Sequence, residues 1–168
     1  MRIRGFLLAT LLLTCSAPIL LAQSDQDKTF LKDSAESGHD EIDLSKLALQ
    51  KSHNADVRMF ANKMIHDHTM LINSMKPFAV KWGVTPPTHM DAAGDAKYAE
   101  LKVLTGETFD KEYIKAMVSD HQDALQKFDS EINSTQDARY KTAVANGRAV
   151  VQKHLDIITG IAHKYNIS

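Results

Sequence analysis

The sequence predicts an all-α fold, and three observations carry that prediction. Apolar residues recur at spacings of three and four, as in Phe60, Ala61, Met64, Ile65, Leu71, Ile72 and Met75, the period of a helix with one buried face. Alternation of β-branched and polar residues is nowhere sustained. Glycine and proline gather in one stretch, Gly83 through Pro86-Pro87 to Gly106, as expected of a single long connection between helices.

The first helix is expected from Asp25 or Asp27 to about Lys51, with Phe30, Leu31, Ala35, Ile42, Leu44, Leu47 and Ala48 on its apolar face. Ser52-His53-Asn54 makes a short turn in which Ser52 or Asn54 can cap the next helix. The second helix runs to about Trp82, and Pro77 inside it predicts a kink or a local break. The Gly83–Gly106 stretch has room for one short helix, roughly Asp95 to Leu104. A third long helix spans about Glu107 to Ile132, and Asn133-Ser134-Thr135 forms a turn with capping residues. The fourth then reaches about Tyr165. Two helical hairpins joined by a long crossover is the connectivity of a ferritin-like four-helix bundle, not of a simple up-and-down one.

Residues 1–22 read as a signal peptide: Arg2 and Arg4, the apolar run Phe6–Leu13, and small residues with cleavage expected after Ala22. The domain then covers residues 23–168, in a periplasmic or otherwise exported location. Leu12-Leu13-Thr14-Cys15 offers a lipid-anchored alternative, but Thr14 stands where a lipoprotein box wants Gly, Ala or Ser. Cys15 is the one cysteine, so it leaves with the signal and no disulfide is expected. Pro18 interrupts an apolar run already short for a span, and no transmembrane helix is expected in the mature chain. With 20 Lys and Arg against 21 Asp and Glu, interspersed, there is no basic stripe and no nucleic-acid partner is expected.

The candidate site begins with three histidines. His68 is framed at minus four, minus three, plus three and plus four by Met64, Ile65, Leu71 and Ile72. The same offsets give Met117, Val118, Ala124 and Leu125 around His121, and Val150, Val151, Ile157 and Ile158 around His154. At 43% hydrophobic residues, a random position is framed in this way only about 3% of the time. The other five histidines lack the frame. A buried imidazole needs a hydrogen-bond partner or a metal, and three on separate helices of a small bundle predict a shared site. Glu41 is the candidate from the remaining helix: Leu44 and Ala48 lie on its face, while the small Ser37 and Gly38 leave room beside its carboxylate. Glu36 and His39 are weaker candidates from the same helix. Asp67 and Asp120 precede two of the histidines and are expected at the solvated edge, with orientation of a neighbouring imidazole as the alternative. Tyr113, two turns before His121, could donate its hydroxyl to the cluster. Three imidazoles and one carboxylate suit a single transition-metal ion, Zn, Fe, Mn or Cu. No nucleophile-base pair, phosphate loop or cysteine cluster points to a reaction.

Phe30-Leu31 with Glu41, Phe60-Ala61 with Asp67-His68, Gly83-Val84, Pro86-Pro87, Phe109-Asp110 with Tyr113, His121 and His154-Leu155 together resemble the bacterial DUF4142 family of exported proteins. The resemblance spans about Lys28 to Lys164 and implies a ferritin-like bundle in the cell envelope, without supplying an activity. Di-iron chemistry does not follow. Ferritin-like di-iron centres use Glu-x-x-His pairs, whereas Ile65, Val118 and Val151 stand three residues before these histidines. Two functions therefore compete: a metal-binding envelope protein, and a metal-free envelope module with a buried His/Glu hydrogen-bond network and a protein partner.

Overall fold

The computed structural model describes residues 24–167; the signal peptide expected over 1–22 and the alternative lipid anchor at Cys15 lie outside the described residues. Helix α1 spans Asp25–Lys51, α2 Ala55–Trp82, α3 Ala92–Lys102, α4 Gly106–Ser134 and α5 Ala138–Lys164. The four long helices form the bundle. Helix α1 pairs with α2 and α4 with α5, while α1 faces α4 and α2 faces α5 across the seam between the hairpins. Contacts at the two ends set the directions. The start of α1 meets the α4–α5 turn, where Thr135 Oγ1 donates to Asp27 Oδ2 at 3.2 Å and Tyr140 Oη to the Asp27 carbonyl at 3.2 Å. At the other end, Lys51 Nζ donates to the Leu104 carbonyl at 2.9 Å. The crossover thus travels the length of the bundle, as the ferritin-like reading requires. No helix among the described residues is long and apolar enough to cross a membrane.

Local chemistry explains the boundaries. Asn54 Oδ1 accepts from the backbone N–H groups of Asp56 and Val57, capping α2. Gly83 ends α2 at φ 64°, a left-handed conformation that glycine adopts without Cβ strain. Helix α2 runs through Pro77 without the break that the proline suggested; proline costs one backbone bond, and packing of Phe60, Met64 and Met75 into the core outweighs it. The short crossover helix starts three residues earlier than expected because Asp91 caps it, accepting from Gly94 N at 2.7 Å. Asp137, not the Asn133-Ser134-Thr135 group, caps α5.

The core is divided in two. One cluster holds Leu44, Phe60, Met64, Tyr113, Met117 and Ile158; the other holds Leu31, Met75, Leu125, Tyr140, Val144 and Val151. Along every long helix, one polar residue separates the two sets: Glu41, His68, His121 and His154. Close packing below that layer is tight at Gly147, where a Cβ would sit 2.8 Å from Phe128 Cε1. Gly147→Ala is expected to destabilise the protein by about 1–3 kcal/mol, visible as a lowered midpoint in thermal denaturation. An unchanged midpoint would show that the Phe128 ring moves aside freely.

Candidate metal centre

All four residues named from the sequence reach one buried layer. His121 and His154 are fully inaccessible, and His68 and Glu41 nearly so, at 6% and 4% exposure. One ring nitrogen from each of the three histidines lies within 4.8 Å of the others. Glu41 spans two of them: Oε2 is 2.7 Å from His68 Nε2, and Oε1 is 3.4 Å from His121 Nδ1. None of the other five histidines is buried. Glu36 and His39 are only partly covered and stay outside the cluster.

The hydrogen-bond partners fix which nitrogens carry protons. His121 Nδ1 lies 2.8 Å from the Met117 carbonyl. A carbonyl can only accept, so Nδ1 holds the hydrogen and Nε2 presents a lone pair. His154 Nε2 lies 2.8 Å from Asp67 Oδ2. Partial burial pushes Asp67 up, but hydrogen bonds from Lys63 and His154 outweigh it and hold the carboxyl below its ordinary value. An ionised carboxylate only accepts, so His154 donates from Nε2 and its Nδ1 is the lone pair. Those two free nitrogens, His121 Nε2 and His154 Nδ1, face each other at 3.4 Å. Burial keeps both rings neutral, partly offset by Glu41 at His121 and by Asp67 at His154; the His154 imidazole is pushed down to about 4. Between neutral rings this is acceptor against acceptor, with no hydrogen to share.

His68 adds a third nitrogen. Its buried Nε2 lies 2.7 Å from Glu41 Oε2 but off the direction of a straight N–H···O bond, so the carboxylate is its one close polar neighbour. Burial alone would push Glu41 up, whereas protonation of a neighbouring imidazole, His68 first, brings its carboxyl down; with the imidazoles neutral, the buried carboxylate lacks a countercharge. The donor set fits a cation: lone pairs converge, and the carboxylate supplies the countercharge.

The surroundings refine one expectation and correct another. Asp67 is partly exposed at the edge, at 20%, and from there it also orients His154 on the adjacent helix while held by Lys63 Nζ at 2.8 Å. Tyr113 does not reach the imidazoles, its hydroxyl pairing instead with Ser45 Oγ at 2.9 Å. A cleft of about 830 Å³ borders the layer along α1, α2 and α4, and Ser37, Gly38, Glu41 and His68 all line it. Sequence reasoning missed a second buried polar group at the far end of the bundle. Asp27 and Glu131 are each 1% exposed, and Asp27 Oδ1 and Glu131 Oε1 have no hydrogen-bond donor. Asp27 lies three and four residues before Phe30 and Leu31, and Glu131 three after Phe128, the faint trace of a buried face.

Comparison with solved structures places this geometry on a recurrent fold. A DUF305 fragment from Deinococcus radiodurans superposes with a TM-score of 0.75 at 15% identity, covering 84% of this chain and 98% of that one. CopM in its Cu(I)-bound form superposes with a TM-score of 0.69 at 21% identity, covering 83% and 96%. The Ag-bound form from co-crystallization gives 0.67 at 23% identity, covering 83% and 96%. At these identities the likeness is one of fold. No curated protein matches the sequence significantly. The model of a domain of unknown function, DUF4142, matches residues 16–161, and the chain, with its helical bundle and its buried His/Glu layer, belongs to that family.

Proposed function

We propose that this domain is an exported protein that binds one transition-metal ion through His68, His121, His154 and Glu41. The observation that carries the reading is the pair of free imidazole nitrogens facing each other at 3.4 Å with no hydrogen between them. A cation turns that repulsion into two bonds. Three imidazoles and a carboxylate, with no thiolate among the four, suit Cu(II) or Zn(II) better than Mn(II). The Cu(I)-, Cu(II)- and Ag-bound forms of CopM, on the same fold, support testing copper first. A four-residue donor set fills a tetrahedral ion, which favours holding metal over turning over a substrate. The arginines and apolar run that open the chain support export.

Tag-free protein titrated with Cu(II) and with Zn(II) is expected to take up one equivalent. At a free concentration one hundred times Kd, the ion should stabilise the fold by about 2.7 kcal/mol, a rise of roughly 5–10 °C in Tm for a domain of this size. Binding below about a tenth of an equivalent, without a thermal shift, would favour the competing reading of a metal-free hydrogen-bond network. Asp67→Asn offers a finer check. Losing the charge behind His154 is expected to weaken binding by roughly 10–100-fold, measured by competition with a chelator. Unchanged affinity would show that the Asp67 charge does not act on the ion through His154.

A further inference from the structure

The four donors are not equally placed. His121 and His154 are fully inaccessible, whereas Glu41 and His68 also line the cleft. An ion arriving from solvent by the cleft therefore meets Glu41 and His68 before the other two. The lining is acidic: besides the ligand Glu41 and the buried Glu131, six carboxylates, among them Glu36, Asp40, Asp120 and Asp123, face only two lysines, Lys97 and Lys127. At about 30 Å³ per water, a cleft of about 830 Å³ has room for a cation with its hydration shell. At its inner wall stands His68, 6% exposed, whose buried Nε2 makes no hydrogen bond and lies 2.7 Å from Glu41 Oε2.

Resting on the metal reading above, we propose that the α1–α4 cleft is the loading path of the ion. Asp120 and Asp123 on α4 collect the hydrated cation and pass it to Glu41 and His68, from which it reaches His121 and His154. Asp120 and Asp123 line the same cleft as Glu41, so a cation held by their carboxylates is already in the space that borders the first two ligands. Asp40 plays a different part. It accepts from the backbone N–H of Asp91 at 3.0 Å, and a Cβ at Gly94 would overlap its carboxylate, so it holds α3 over one end of the cleft.

Stopped-flow association of Cu(II) with the full-length protein tests the path with two independent variants. Asp120→Asn/Asp123→Asn is expected to slow association about tenfold at low ionic strength and to flatten its salt dependence, leaving dissociation unchanged. Ser37→Trp places a bulky ring on an exposed cleft residue and should slow association and dissociation equally, leaving Kd as it was. Asp156→Asn, exposed on α5 and outside the cleft lining, serves as the control. If one Cu(II) binds but all variants associate at the parent rate, the loading path is overturned and the metal centre stands. If no ion binds at all, both fall together.

Discussion

Replacing His121 with alanine is expected to lower metal affinity by more than about a hundredfold, beyond the loss expected for a residue that only orients a ligand. His121 faces His154 at 3.4 Å through its free nitrogen, lies 3.4 Å from Glu41 and is fully buried. No other donor can move into its place without opening the core. The substitution also leaves a cavity, so circular dichroism must first establish that the bundle is folded. His68→Ala keeps the test decisive if it is not, because His68 borders the cleft and its loss can be filled by water. His66→Ala, two residues away but exposed, should bind as the parent does. Chelator competition that finds parental affinity in both His121→Ala and His68→Ala would remove these residues from the ligand set.

The second large effect concerns pH and lies at the end of the bundle where α1 begins and α4 ends. Burial, reinforced by the adjacent Asp27 carboxylate, raises Glu131 from 4.5 to about 7. Folded Glu131 thus holds a proton that the unfolded chain releases between those values. Its contribution is fully present below pH 4.5 and is lost as pH rises through about 7. The loss amounts to roughly 2–3 kcal/mol. Glu131→Gln keeps a neutral donor beside Asp27 Oδ1 and should remove the dependence, matching the parent near pH 4.5 and exceeding it by that amount near pH 8. Urea denaturation of parent and variant at both values measures the difference. Equal stabilities at pH 8 would show that the pair is not sharing a proton. In the metal-free protein His154 has the opposite sign. Its folded value near 4 lies below the ordinary 6.5, so stability falls as pH drops through that window.

Much of this molecule can be read along the chain. The frames around His68, His121 and His154 announced burial because helical neighbours at plus and minus three and four share a face. Ser37 and Gly38 announced open space beside Glu41, and both line the cleft. What escaped the reading depended on partners from distant helices. Asp67 lies about 100° around the helix from His68, so sequence placed it at the edge; α5 brings His154 to that edge. Tyr113 points at the right layer, but Ser45 on α1 intercepts its hydroxyl. Asp27 looked like a helix-start residue, and only the return of α4 and α5 to the same end buries it against Glu131, Thr135 and Tyr140.

The placement of the four donors has a mechanical meaning. Glu41 and His68 belong to one hairpin and His121 and His154 to the other, so an ion held by all four ties the two hairpins together. Measured along the chain, that tie closes loops on the order of 100 residues, from the first helix to the last. A disulfide closing such a loop restrains the unfolded chain by about 4.7 kcal/mol in the simplest entropy treatment. With Cys15 as its one cysteine, the chain cannot form an internal disulfide. Coordination would take over the work that sulfur does in disulfide-bonded proteins, as a cross-link that can be fastened and released by metal supply instead of by oxidation.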